Sequence, residues 1–247
     1  MIKFFRKIRQ QLLTENKFSK YLIYALGEIL LVVIGILIAL QINNWNQIKN
    51  DKIMIGDYLF EIIEDLNNDI ESYQHNRDKY KTLVNNKEWG MSKSEYSISQ
   101  KDSLLSFMFI DITDYKIMDL AFQKLQNSGL TRFYEFEKLI DEIRDYYLVT
   151  GKQYDIWIDW EVKWSDNELQ WWHNNDDHFE WSFTNEFPQV NEENYNINEL
   201  IKVLESAKGR NQMYYSLIRK RILLSQFEKM LNQARELKVM IEERYTF

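Results

Sequence analysis

The feature that most constrains this chain is an apolar stretch at residues 21–42, which reads YLIYALGEILLVVIGILIALQI. It contains no proline and one charged residue, Glu28. A helix rises about 1.5 Å per residue, so this stretch extends roughly 33 Å, enough to cross the hydrocarbon core of a bilayer. The sequence therefore predicts a transmembrane helix at 21–42, between a head at 1–20 and a body at 43–247.

A cleaved signal peptide is the competing interpretation of this terminus. The apolar run is too long for the hydrophobic region of a signal peptide, and no small-residue cleavage site follows it. Trp45 lies just beyond the run, and tryptophan suits the interface between membrane and water. We therefore expect the helix to be retained as a signal anchor.

The flanking cations predict the orientation of the span. Six Lys or Arg residues precede it, whereas only Lys49 and Lys52 occur in the twenty residues that follow. The positive-inside rule then places the N-terminus in the cytoplasm and the body outside it. We expect a single-pass protein of the inner (cytoplasmic) membrane with a periplasmic C-terminal domain.

The head at residues 1–20 is basic and has an apolar helical face that includes Phe5, Ile8 and Leu12. This pattern is typical of an amphipathic helix lying on an anionic membrane surface, so membrane lipids are expected partners. The alternative is an ordinary cationic segment in front of a signal anchor, with incidental helical periodicity.

The body at 43–247 is acidic, because the chain has a net charge of −7 although its head is basic. Affinity for nucleic-acid phosphates comes mainly from clustered Lys and Arg, so no nucleic-acid partner is expected. The chain has one proline, seven glycines and no cysteine. This composition disfavours turn-rich β folds and excludes disulfides and thiolate metal sites.

One face of the predicted span differs from a plain anchor. At about 100° per residue, Glu28, Gly35 and Ala39 fall close to one line, and Tyr24 and Val32 extend it. A small residue every fourth position lets another helix approach closely, and a carboxylate facing lipid is costly. The face therefore predicts self-association or a membrane partner. The alternative is that Glu28 only reaches back to the cytoplasmic interface.

The first 46 residues, from MIKFFRKIRQ to QINNWN, resemble the N-terminus of an uncharacterised family of small single-span membrane proteins common in Bacteroidota. The stretches AFQKLQNSG at 121–129 and LIDEIRDYY at 139–147 are also similar to that family. The family's glycine is often followed by asparagine, whereas this chain has Leu130. The resemblance implies a helical extracytoplasmic region and carries no activity.

Apolar residues recur at spacings of three and four through most of the body, which indicates helices. We expect a first body helix at about 46–85, another from about residue 114 to Gly129, and a last one at about 210–244. The first and last are the longest, so we expect them to pair antiparallel. The predicted fold class is all-α, with one N-terminal transmembrane helix followed by an extracytoplasmic antiparallel helical bundle.

Four tryptophans recur at heptad-like spacing: Trp157, Trp160, Trp164 and Trp171. A stripe of this kind usually marks the buried face of a helix in a bundle, which is the interpretation that we favour. The alternative is an aromatic platform that stacks on a sugar or a lipid headgroup.

The segment that follows places His173, Asp176, Asp177 and His178 close together. Imidazole and carboxylate groups can bind zinc or another divalent ion. The segment matches no metal-site template, and polar runs of this kind usually form solvated loops. It remains a minor metal-site candidate, and we expect no cofactor.

The chain contains no phosphate-binding loop, dinucleotide fingerprint, GxSxG motif or EF-hand loop. We therefore expect a non-enzymatic, membrane-anchored structural or interaction subunit, assembled as a homo-oligomer or with a membrane partner subunit. The alternatives are a ligand-sensing periplasmic bundle that signals through a partner, an oligomeric pore lined by the Glu28 face, and an enzyme or metal site at residues 173–178.

Overall fold

A computed structural model of the protein describes residues 18–180 and 188–245. The basic head predicted at 1–20 lies outside these residues apart from its last three. The chain divides into two compact units, residues 1–55 and 56–247. The described ranges contain helices and no β-strand, so the predicted all-α fold class is confirmed.

The helices are α1 (Phe18–Met91), α2 (Lys101–Met108), α3 (Leu120–Gln126), α4 (Glu137–Asp145), α5 (Lys152–His173), α6 (Glu193–Glu205) and α7 (Ala207–Arg244). Short 3-10 turns occur at Ile98–Gln100 and Tyr134–Phe136. A π-helical segment, Tyr146–Gly151, lies between α4 and α5. α1 supplies the described part of the first unit and also the start of the second.

In the first unit, the apolar side chains of α1 are not covered by the rest of the protein. The large apolar side chains from Leu22 to Ile42 are 46–74% exposed. The most apolar window of this helix has a mean hydropathy of 2.7, and none of it is buried within the protein. A core helix of a soluble protein buries such residues, whereas this stretch has the length and composition of a membrane span.

In the second unit, α1 and α7 contact each other in antiparallel order. The contacts are Arg235 with Gln74, the ring of Phe227 with that of Tyr80 at 5.0 Å, and Arg221 with Glu88. Each step forward along α1 is a step backward along α7. The side of α7 that contains Leu231 and Leu237 is buried.

A hydrophobic cluster joins α2, the end of α5, α6 and the start of α7. Its buried members are Leu104, Phe107, Met108, Trp172, Phe179, Ile197, Leu200, Ile201, Leu204 and Met213. The cluster therefore packs these four helices against one another.

The helix expected from about residue 114 is shorter than predicted, since α3 begins only at Leu120 and residues 109–119 form no helix. The physical reason is that backbone N–H groups here find side-chain acceptors. The Met118 N–H donates to Asp69 Oδ1 at 3.1 Å, and the Tyr115 N–H donates to Thr113 Oγ1 at 3.3 Å. Helical hydrogen bonds are not needed where such acceptors exist.

Candidate functional site

The face predicted on the span is at most partly covered by the rest of the protein. Tyr24 and Glu28 are half-buried, whereas Val32, Gly35 and Ala39 are exposed. A Cβ atom added to Gly35 would meet no atom within 4 Å. The chain leaves this glycine open, so another helix can approach the backbone closely there.

The tryptophan stripe flanks the buried face of α5 and does not form it. Trp157, Trp160 and Trp171 are half-buried, and Trp164 is 45% exposed. The buried face consists of Tyr154, Ile158, Glu161, Ser165, Glu168 and Trp172. The expectation that these four tryptophans build the core is therefore corrected, because the core takes the neighbouring line of α5.

The ring geometry also bears on the platform alternative. The rings of Trp157 and Trp160 are 5.5 Å apart at 87°, and those of Trp160 and Trp164 are 6.4 Å apart at 59°. Stacking along a flat ligand surface needs rings that are roughly coplanar. The first pair packs edge to face, as aromatic pairs prefer, and the second pair is tilted, so the three rings are not coplanar.

The predicted metal residues lie at the end of α5 and in the turn after it. His173 is the last residue of α5, and Asp176, Asp177 and His178 follow it. Across residues 18–180 and 188–245, no three His, Asp or Glu side chains form a group that could hold a metal ion. The structure does not bring the four residues together as a ligand set.

The buried face of α5 contributes to an ion network that the sequence did not predict. Glu161 and Glu168 meet Arg219 and Lys220 of α7, and all four side chains are at most 5% exposed. Arg219 contacts both carboxylates, with Nε 3.1 Å from Glu161 Oε2 and Nη2 on Glu168 Oε2.

Lys220 and Ser165 complete the coordination of Glu161. Lys220 Nζ donates to Glu161 Oε1 and, at 2.7 Å, to the carbonyl oxygen of Asp111. The Ser165 hydroxyl donates to Glu161 Oε1 at 3.1 Å. A buried ion pair requires such additional hydrogen bonds to offset desolvation. The network therefore holds α5, α7 and the segment after α2 in one arrangement.

Lys87 of α1 is the third buried cation of this network. Its Nζ donates to the Phe107 carbonyl at 3.1 Å and lies 4.0 Å from Glu168 Oε1. Burial lowers the pKa of Lys87 to about 8, although the Glu168 carboxylate acts in the opposite direction. The three cations outnumber the two carboxylates, so this cluster carries excess positive charge inside the protein when Lys87 is protonated.

A second buried cluster surrounds Asp69. Its Oδ1 accepts hydrogen bonds from the Tyr115 hydroxyl at 2.7 Å and from the Met118 N–H, and the Tyr146 hydroxyl lies 3.4 Å from Oδ2. Burial raises the pKa of Asp69 to about 7, against the lowering effect of these hydrogen bonds. Nearby, Asp65 accepts from the Ala121 N–H at 2.9 Å in the first turn of α3.

One pattern in the sequence of α5 could have indicated these buried charges. Residues 154, 158, 161, 165, 168 and 172 alternate steps of four and three, which is the helical core period, and three of them are polar. A carboxylate or hydroxyl at a core position requires a buried partner. The partner's identity was not readable, because Arg219 lies 58 residues from Glu161 in the chain.

An apolar groove of about 440 Å³ lies beside the end of α5. It is lined by Leu105, Met108, Phe109, Ile110, Leu169, Trp172 and His173. His173 is thus the one predicted metal residue that lines this groove, where its neighbours are apolar groups and not metal ligands.

Comparison with known proteins finds no matching family model, no matching curated protein and no matching solved structure.

Proposed function

We propose that this protein is a non-enzymatic, membrane-anchored structural or interaction subunit. It assembles through the face of α1 that contains Val32, Gly35 and Ala39, and it presents its second unit outside the cytoplasm. The observation that carries the proposal is the apolar stretch of α1, whose most apolar window is not buried at all by the rest of the protein. Lipid covers most of such a surface, and a second helix covers its small-residue face.

Two features support assembly over simple anchoring. Gly35 and Ala39 lie four residues apart, and the position of a Gly35 Cβ is open space. Glu28 lies on the same face, and an ionisable residue within a span usually faces protein or water. We infer that the neighbouring helix belongs to a second copy of this chain.

The chain has no native cysteine, which allows a clean test by single-cysteine cross-linking. Val32→Cys, Gly35→Cys and Ala39→Cys are oxidised in native membranes, with Leu30→Cys and Leu37→Cys as controls about 180° away on the helix. We expect disulfide-linked dimers at the first three positions only. Equal cross-linking on both faces, or none on either, would refute assembly through this face.

A second pair of variants tests close packing. Gly35→Leu adds a bulky side chain to the proposed face, and Gly27→Leu makes the same change about 80° away. A Cβ at Gly27 also meets no atom of this chain within 4 Å, so the two substitutions are matched. We expect Gly35→Leu alone to shift the protein towards monomer in native mass spectrometry from nanodiscs.

The orientation is tested independently. Asn127 is exposed in the second unit, so Asn127→Cys provides a labelling site. A membrane-impermeant maleimide should label it in intact spheroplasts if this unit lies outside the cytoplasm, as the positive-inside rule predicts. Labelling only after lysis would reverse the proposed orientation.

A further inference from the structure

A small cavity of about 210 Å³ lies in the second unit between α3, the loop that follows it and α4. Five apolar residues line it: Leu130 is half-buried, and the other four, Phe122, Leu125, Phe133 and Ile140, are at most 7% exposed. Two polar side chains complete the lining, Gln126 at the end of α3 and Arg144 of α4. The accessible part of the lining is therefore mainly polar, with one cation and one amide.

Arg144 lies at the cavity, and its contacts within the protein leave N–H donors for a ligand. Its guanidinium lies 5.3 Å from the centre of the Phe133 ring, and Nη1 donates to Asp141 Oδ1 at 3.1 Å. The side chains of this ion pair are 43% and 69% exposed. Exposed pairs contribute little, and a guanidinium carries a planar fork of five N–H donors, so a second carboxylate can bind it.

The loop between α3 and α4 is fixed by hydrogen bonds. The Ser128 hydroxyl donates to the Leu125 carbonyl at 2.7 Å and accepts from the Leu130 N–H at 3.2 Å. The Phe133 N–H donates to Glu137 Oε1 at 2.9 Å. These contacts position both loop residues that line the cavity, so it is formed before any ligand arrives.

Tyr134, next to the cavity residue Phe133, adopts a φ of 54°. This is the left-handed region, which a bulky side chain rarely occupies unless its surroundings impose it. Backbone strain of this kind concentrates at ligand-binding and switch segments. The backbone conformation of Tyr134 therefore distinguishes this loop independently of the residues that line the cavity.

We propose that this cavity binds a small free carboxylate. Arg144 receives the carboxylate through charge-assisted hydrogen bonds, for which its fork geometry is suited. Phe122, Leu125 and Ile140 are at most 3% exposed, so the polar groups of the cavity provide the contacts to the ligand. The volume is below the range of about 300–1,000 Å³ that is usual for drug-sized ligands, so the ligand is small. The site does not depend on assembly through α1.

The test uses full-length protein in lipid nanodiscs, so that detergent does not fill the cavity. Acetate and propionate are titrated by calorimetry and by saturation-transfer NMR, with acetamide and propionamide as neutral isosteres. We expect saturable binding of both acids and at least about tenfold weaker binding of both amides, because only the acids engage the guanidinium fully.

Two arginine variants separate the site from general charge. Arg144→Met keeps an apolar stem and removes the cation, and we expect it to weaken acid binding by at least about tenfold. Arg132→Met is the matched control, because Arg132 is exposed in the same loop and does not line the cavity. It should bind the acids as the wild type does.

A third variant tests location without changing charge. Leu130→Trp fills the cavity from its half-buried rim and should abolish binding of the acids. Circular dichroism and thermal unfolding verify that each variant is folded. The proposal is refuted if acids and amides bind equally, if Arg144→Met binds as tightly as Arg132→Met, or if the wild type shows no saturable binding at millimolar acid.

Discussion

The buried carboxylate of Asp69 makes the stability of the second unit depend on pH in a direction opposite to that of most carboxylates. Burial raises the pKa of Asp69 from 3.8 to about 7 in the folded protein. Between those values the folded state binds more protons than the unfolded state, so stability falls as the pH rises. Below about pH 4 both states are protonated and this effect vanishes.

The magnitude follows from the same two pKa values. Each pKa unit of difference corresponds to about 1.4 kcal/mol, and integration from about pH 4.5 to pH 7.5 gives a loss of about 3 kcal/mol. Asp69→Asn removes this dependence. The amide oxygen can still accept the two hydrogen bonds that Oδ1 receives from Tyr115 and Met118, so the local packing is preserved.

The assay is urea unfolding of wild type and Asp69→Asn in nanodiscs, followed by tryptophan fluorescence across this pH range. Other titrating groups are common to both proteins, so the difference in unfolding free energy isolates Asp69. We expect the variant to gain about 3 kcal/mol relative to wild type between the two ends of the range. Asp114→Asn, at an exposed position, controls for the substitution itself. A difference that is independent of pH, or of opposite sign, would refute the reasoning.

Three further predictions concern the contribution of individual side-chain and backbone contacts to stability. Lys220→Met removes one of the two cations that contact the buried Glu161 carboxylate and should cost about 3–5 kcal/mol in urea unfolding. Arg221→Met, which removes an exposed ion pair, should cost less than about 1 kcal/mol. Gly209→Ala should cost about 1–3 kcal/mol, because its Cβ would lie 2.0 Å from the Val203 carbonyl oxygen, and unchanged unfolding would contradict this contact. Trp172→Ala should cost about 3–5 kcal/mol and Trp164→Ala far less, and the reverse order would show that the stripe is the core.

The helical parts of the fold were predictable because they depend on local information. The long apolar run and the three-four periodicity of the body each identify helices without reference to distant residues. The last helix was expected at about 210–244 and is found at Ala207–Arg244. The helix predicted at residues 114–119 is absent because backbone N–H groups of this segment donate to side chains of α1 and α5, such as Asp69 and Asp155, which are distant in sequence.

The choice of buried face on α5 also depends on residues that are distant in sequence. Both the tryptophan stripe and the line through Glu161 and Glu168 have helical spacing, and hydrophobicity alone favours the tryptophans. Only the approach of Arg219 and Lys220 makes the carboxylate line the buried one, since a carboxylate can be buried where a cation meets it. The cavity beside Arg144 was likewise invisible, because it exists only where α3 and α4 are brought together.

The sequence by itself determined that this protein is all-α and that it contains an apolar stretch long enough to span a bilayer. Both depend on composition and short-range periodicity, which act within one helix. The tertiary structure alone decided which charges are buried and which aromatic residues remain at the surface. These depend on partners many residues away, whose electrostatic and packing energies are realised only when the helices meet.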